Sequence, residues 1–286
     1  MKILMMGGTG FVGGAVLSEL CRAGYHVLAL SRSEEADHRL KGAGAAVLRG
    51  DLRHPGQWAG AVQEVDAVVH AAATFTQDMG EVDSGVIRAL MHECQRSRRR
   101  VRFVYTGGVW LYGATGDSIA TEETPFNPIP GFEWMVDNGA AVLKASCFSA
   151  NVVHPGMSYV RDGGAFSRFA SPDHPIEIWG SPDTRWPVVH REDLARAYRL
   201  VLERAPAGES YNVSAEVGVR VGDLVAAAAR RHGLRADPVV KTAADVVTEH
   251  GQLALGPTLD QQMSSQKISM QLGWTPLHTD AVAEMS

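Results

Sequence analysis

The chain has 286 residues, 45% hydrophobic and 21% charged, an ordinary globular composition for one large domain or two small ones. A formal net charge of −5 gives no electrostatic basis for nucleic acid or an anionic membrane as partner, which leaves small-molecule chemistry. Cys21, Cys94 and Cys147 are scattered and show no CxxC spacing, so they support neither a disulfide framework nor a zinc site; a reducing cytoplasm is the expected location, with no metal.

The opening stretch MKILMMGGTGFVGGAVL is apolar enough to suggest a signal peptide, but its glycines fit a strand, a turn and a helix better. No stretch approaches the ~18 uninterrupted apolar residues of a membrane span. In chain order the spacing predicts strands at KILMM (2–6), HVLAL (26–30), AAVLR (45–49), DAVVHA (66–71), RFVYT (102–106) and NVVH (151–154). Each is short and apolar on both faces, the pattern of a parallel sheet covered by helices on either side. Arg96, Arg98, Arg99 and Arg100 are read as the end of a helix, where cations suit the negative end of the dipole. From Pro155 the rhythm changes, then PVVHREDLARAYRLVLE returns to strand and helix, and the tail mixes the strand ESYNV with helices such as GDLVAAAARRHG.

The expected fold is therefore α/β: a Rossmann doubly wound parallel sheet over residues 1–155, with 187–204 returning to it. A smaller C-terminal substrate-binding lobe is expected from 156–186 and 205–286.

Between the first strand and first helix lies GGTGFVGG, which fits GxxGxxG through Gly7, Gly10 and Gly13, and GxGxxG through Gly8, Gly10 and Gly13. Glycines there admit positive φ and let backbone N–H groups approach a pyrophosphate at the positive end of the helix. Placed in the first βα unit, the motif signals a dinucleotide site, with Gly7, Thr9, Gly10, Phe11 and Val12 around the phosphates. At the tip of the second strand the chain reads LALSRS. Arg32, flanked by Ser31 and Ser33, offers paired donors to a 2′-phosphate, which favours NADP(H); Glu34 and Glu35 keep NAD as the alternative.

These residues resemble the extended and atypical short-chain dehydrogenase/reductase superfamily, which includes nucleotide-sugar epimerases and NmrA-like proteins. The resemblance rests on GGTGFVGG, GDL at 50–52, DAVVHAAA at 66–73, VRFVYTGGVWLYG, VVHPGMSY, VVHREDLARA and LGWTP at 272–276. It implies adenine near Asp51 and Leu52, the middle of the dinucleotide over Ala71, Ala72 and Ala73, and nicotinamide near Thr106 and the turn Pro155, Gly156, Ser158.

One part of the pattern is missing. The family's Ser/Thr slot, four residues before the Tyr of LYG, falls on Gly108, and its YxxxK slot falls on Trp134 and Asn138. The chain has no Tyr between Gly113 and Ser158, so the usual acid/base set is absent. General acid catalysis of that kind contributes about 10²- to 10⁴-fold, whereas correct placement of the reactants contributes roughly 7 to 11 kcal/mol without it. Ser158, Tyr159 and Tyr112 are weak substitutes; water or a phenolic hydroxyl of the substrate are the other proton sources. Trp110, Phe132, Trp134, Tyr159, Phe166 and Trp186 fall in segments that border the family's substrate cleft and suit a wide, flat ligand.

In these respects the chain resembles the atypical ketoreductases of aromatic polyketide antibiotic pathways, those acting on angucyclinones included. The resemblance implies NADPH-dependent reduction of a polycyclic aromatic ketone by a monomer or homodimer. An NmrA-like dinucleotide sensor and an epimerase or dehydratase with displaced acid/base groups remain as alternatives.

Overall fold

The computed structural model describes residues 1–97, 99–169, 176–233 and 238–286. Strand β1 spans Lys2–Met6 and is followed by α1 (Phe11–Arg22), β2 (His26–Ser31), α2 (Glu34–Gly42) and β3 (Ala46–Arg49). The alternation continues through β4 (Ala67–His70), α3 (Met79–Ser97), β5 (Val101–Thr106), α4 (Glu133–Lys144) and β6 (Phe148–Pro155). Next come β7 (Met157–Val160), β8 (Gly163–Gly164), β9 (Glu177–Trp179), β10 (Arg185–His190), α5 (Arg191–Arg204), β11 (Glu209–Val213), β12 (Glu216–Arg220) and α6 (Val221–His232). After them lie β13 (Val239–Lys241), α7 (Ala243–His250), α8 (Gln266–Leu272) and α9 (Ala281–Met285).

Seven strands form one sheet in the order β11-β6-β5-β4-β1-β2-β3, and the pairings from β3 across to β6 are all parallel. The expected α/β doubly wound class is thus met. The order reverses at β1, with β2 on one side and β4 on the other. In open α/β sheets such a reversal leaves a crevice at the carboxyl ends of the strands, where ligands bind. For this chain the residues leaving β1 and β4 are Gly7 and Ala71.

The chain divides into two compact units, the first comprising residues 1–107, 134–153 and 195–211. Its β1 is apolar on both faces because both are covered: Ile3, Leu4, Met5 and Met6 are fully buried. Helix α3 buries Val86, Ile87, Leu90 and Cys94 at helical spacing, and Asp83 lies among the buried residues of the same helix. The helix stops at Ser97, short of the predicted basic end. Arg96 alone of the described arginines in that run sits in its last turn, beside Glu93. Arg99 and Arg100 instead donate to the carbonyls of Gln63 and Phe148, and Arg98 lies outside the described residues.

The second unit comprises residues 108–133, 154–194 and 212–286. It holds a four-stranded sheet, β12-β10-β7-β8, and the pair β13-β9. Tyr159, Phe166, Phe169, Trp186, Leu224 and Met263 are among its core side chains. The LGWTP segment is pinned here, with Trp274 Nε1 donating to the Asp193 carbonyl at 3.0 Å. Residues 187–194 lie in this unit and 195–204 of α5 in the first. No helix among the described residues is long and apolar enough to cross a membrane.

Candidate dinucleotide and substrate site

Gly7 and Gly13, after β1, are required by close approach. Gly7 has φ +87°, and a Cβ there would lie 2.3 Å from the Ala71 carbonyl oxygen. A Cβ on Gly13 would lie 2.1 Å from the Gly7 carbonyl oxygen, so α1 can seat on the loop only with no side chain there. The loop closes through Gly10 N donating to Gly7 O at 2.9 Å. Gly10 is the N-cap of α1: it supplies no side-chain cap, and the first turn carries no acidic residue. A first turn without cap or carboxylate, reached over glycine backbone, fits the diphosphate of a dinucleotide. Thr9, Phe11 and Val12 flank it, half-buried.

The tip of β2 divides its duties. Ser33 caps α2 by accepting from Ala36 N, and Ser31 Oγ donates to the Ser33 carbonyl, so both hydroxyls are engaged in shaping the turn. Arg32 is exposed. Glu34 and Glu35 occupy the first turn of α2, where negative charge complements the helix dipole. A residue the sequence reading passed over is Arg39, whose Nη2 donates to the Thr9 carbonyl at 2.9 Å, holding a second guanidinium against the phosphate loop. Its signal was its position seven residues after Arg32, in the last turn of α2.

Asp51 receives Arg53 N at 2.9 Å on its carboxylate, and Trp58 Nε1 at 2.7 Å on its carbonyl. Gly50 is glycine because a Cβ would lie 2.5 Å from the Trp58 ring. Leu52 packs on the sheet's core. Ala71 N continues the ladder to Met6 O at 3.1 Å; Ala71 and Ala72 are half-buried and Ala73 is exposed. At the end of β5, Thr106 Oγ1 donates to the His70 carbonyl at 2.8 Å and lies 2.7 Å from the Tyr198 hydroxyl.

The slots for the missing acid and base have been rebuilt as structure. Gly108 has an extended backbone, and a Cβ there would meet nothing within 4 Å, so steric crowding does not explain its lack of a hydroxyl. Trp134 lies on Gly80, where a Cβ would come within 2.7 Å of the indole. Asn138, one turn on, is buried; its Nδ2 donates to Asp83 Oδ2 at 2.8 Å and its Oδ1 accepts from Ser84 Oγ at 2.9 Å. Asp83 also accepts from the Tyr105 hydroxyl at 2.7 Å, and His70 Nε2 stands 2.7 Å from its other oxygen. Burial opposes ionisation of Asp83. The His70 ring and the hydrogen bonds outweigh it and hold the carboxyl below its ordinary range. Burial and the Asp83 carboxylate push the Tyr105 hydroxyl well up. Asp83, His70 and Tyr105 were not singled out from sequence, although an aspartate inside the apolar stripe of α3 was a visible sign.

In the second unit, Pro155 ends β6, and Gly156 N donates to Val213 O at 2.9 Å. A Cβ on Gly156 would lie 2.6 Å from the Pro187 carbonyl. The Ser158 Oγ and Tyr159 hydroxyl are buried with no hydrogen-bond partner among the described residues. Tyr112 donates to Asn212 Oδ1 at 2.8 Å, and burial raises its hydroxyl far above working pH. Tyr159, Phe166 and Trp186 are enclosed: Tyr159 stacks on Phe166 at 4.3 Å and Trp186 Nε1 donates to Pro257 O. Trp110 is half-buried, edge-on to Phe132 at 5.7 Å, with Nε1 unpartnered among the described residues. Gly256 makes room for it, since a Cβ there would overlap the indole at 2.3 Å.

Comparison with known proteins agrees with the fold. Residues 3–134 match the NAD dependent epimerase/dehydratase family. The chain is 26% identical over 296 residues, covering 100% of it and 98% of the relative, to the uncharacterized protein C2A9.02 of Schizosaccharomyces pombe. It is 24% identical over 255 residues, covering 83% and 75%, to 4-hydroxy-2-methyl-3-oxo-4-farnesyl-3,4-dihydroquinoline-1-oxide ketoreductase of Stigmatella aurantiaca. In fold it is similar to dTDP-glucose 4,6-dehydratase of Bacillus anthracis, solved in complex with NAD, at TM-score 0.82 and 17% identity over 100% of this chain and 94% of that one. The coarse reading supported is an NAD(P)-dependent oxidoreductase, epimerase or dehydratase. Residues 3–134 are thus similar to the NAD dependent epimerase/dehydratase family, and the sheet order and overall fold are those of the dTDP-glucose 4,6-dehydratase structure.

Proposed function

We propose that the protein is an NADPH-dependent ketoreductase acting on a flat polycyclic aromatic ketone of the angucyclinone type, in the cytoplasm, without a side-chain acid of the usual kind. The observation that carries this reading is the pairing of a complete glycine cradle with a Tyr/Lys slot occupied by Trp134 and a hydrogen-bonded Asn138. When bound, NADPH supplies a hydride to the carbonyl carbon and leaves as NADP⁺, while the oxygen takes its proton from water or a neighbouring phenolic hydroxyl of the substrate. Gly7, Thr9, Gly10, Phe11 and Val12 hold the diphosphate; Asp51 and Leu52 the adenine; Ala71 to Ala73 the middle; Thr106, Pro155, Gly156 and Ser158 the nicotinamide end. Ser158 Oγ, buried and unpartnered among the described residues, suits a polar group such as a carboxamide. Trp110, Phe132 and Trp134 are the proposed aromatic contacts, backed by Tyr159, Phe166 and Trp186.

Arg32 and Arg39 support the phosphorylated coenzyme. Arg32→Ala is expected to weaken NADPH binding roughly 10- to 100-fold, the value of a charge-assisted hydrogen bond, with NADH binding nearly unchanged; comparing the two coenzymes by fluorescence titration checks it. The activity itself is tested by following absorbance at 340 nm with polycyclic ketones that carry or lack an adjacent phenolic hydroxyl. Faster oxidation with the hydroxylated ketones supports the reading. Coenzyme binding with no turnover across the panel would favour the sensor alternative, for which the Asn138 network is the supporting observation. Asn138→Ala and Trp134→Phe should each leave kcat within about tenfold, below the ~10²-fold or more that removal of a general acid costs.

A further inference from the structure

Away from the dinucleotide loop, the second unit brings together His190 at the end of β10, Glu192 in the first turn of α5, and His278 in the segment before α9. One ligand atom from each lies within 4.8 Å of the other two. His278 is set up as metal-bound histidines are: its Nδ1 lies 3.1 Å from Asp193 Oδ2, and the Leu277 and His278 backbone N–H groups donate to the same carboxylate. A carboxylate partner on Nδ1 fixes the tautomer that leaves the Nε2 lone pair available. His190 is buried, yet the one hydrogen bond of its ring among the described residues is a long 3.4 Å contact from Glu192 N. The other ring nitrogens of His190 and His278 make no hydrogen bond among the described residues.

The geometry points to a divalent transition-metal site of the zinc class formed by His190, Glu192 and His278, with Asp193 as positioning residue and a fourth position open to water. Two imidazoles and one carboxylate match the ligand set of an open zinc centre and suit nickel or copper for the same reason. The Tyr159 ring packs edge-on to His190 at 5.5 Å. The two imidazoles stack at 3.8 Å with 27° between their planes. Because ligand lone pairs lie in the ring plane, a shared ion opens that stack. It would also tie the Leu277–His278 segment to the start of α5. No spacing in the linear sequence suggested this set, since His278 is far along the chain from the other two.

The test uses full-length, tag-free, chelator-treated protein and needs neither coenzyme nor ketone, so it is independent of the reductase reading. Cobalt(II) is titrated in and followed by its visible d–d absorption, with zinc(II) as competitor. A saturable four-coordinate band displaced by zinc is expected, together with a zinc-dependent rise in melting temperature. His278→Gln, His190→Gln and Glu192→Gln should each weaken cobalt binding at least tenfold, while His26→Gln, on an exposed position of the first unit, should not. Glu192 is exposed, so its variant keeps the test open if a histidine variant fails to fold. Absence of a band and of a zinc-dependent melting shift at millimolar cation overturns the proposal, as does undiminished binding by Glu192→Gln or His278→Gln.

Discussion

Gly10→Ala is expected to leave the protein folded and to weaken NADPH binding by ~100-fold or more, equivalent to about 2.7 kcal/mol. Gly13→Ala is expected to damage the fold itself. The two glycines lie three residues apart in one motif, but they meet different neighbours. Gly10 has φ −75° and ψ 172°, a conformation open to any L-residue, and a Cβ there meets only the Gly7 carbonyl oxygen, at 3.3 Å. Its methyl would therefore be tolerated by the protein and would stand where the backbone must approach a pyrophosphate. A Cβ on Gly13 would sit 2.1 Å from the same oxygen, with no flexible side chain able to yield. Helix α1 would have to lift from the loop, at a cost of about 3 kcal/mol or more. Thermal denaturation and coenzyme titration of both variants separate the effects: unchanged melting with lost binding for Gly10→Ala, lowered melting for Gly13→Ala.

Asp83→Ala is expected to cost about 3 to 5 kcal/mol, the range for removing one member of a buried charged network. The loss would leave the Tyr105 hydroxyl and Asn138 amide without their acceptor, and His70 without its neighbouring carboxylate. Asp83→Asn, which keeps the shape and one acceptor, should cost less. The pH dependence follows from the direction of the shift. The carboxyl titrates lower in the folded protein than in the unfolded chain, so its contribution is complete at neutral pH and lost as pH falls through the folded value, below about pH 4. Denaturant melts of wild type and Asp83→Asn between pH 7 and pH 3 should therefore converge towards acid. A constant gap across that range would mean that the ionised carboxylate contributes nothing to stability.

Much of the first unit was legible because its physics is local. Short strands apolar on both faces can only be the interior of a covered sheet, and β1, β2, β4 and β5 fall within a residue or two of the runs KILMM, HVLAL, DAVVHA and RFVYT. β6 begins three residues before NVVH, at Phe148, because Phe148 and Ala150 are also buried in the sheet. The glycine loop was legible for the same reason, since Gly7 and Gly13 mark close backbone approaches that no side chain permits. The Asp83 network was not, because it depends on Tyr105, Asn138 and His70 converging from separate elements. The end of α3 was misjudged because Arg99 and Arg100 find backbone carbonyls at the sheet margin, which compete with the helix dipole for the same cations. Similarly, composition marked the aromatic residues of the second lobe but gave no sign that Tyr159 and Trp186 are enclosed while Trp110 is half-exposed.

The account rests on a phosphorylated nicotinamide coenzyme seated at the amino end of α1. Isothermal titration calorimetry of the purified protein with NADPH and NADH addresses it most directly. A saturable heat at one coenzyme per chain, tighter for NADPH, is the predicted outcome. No heat with either coenzyme, in a protein whose circular dichroism and melting show it folded, would contradict it.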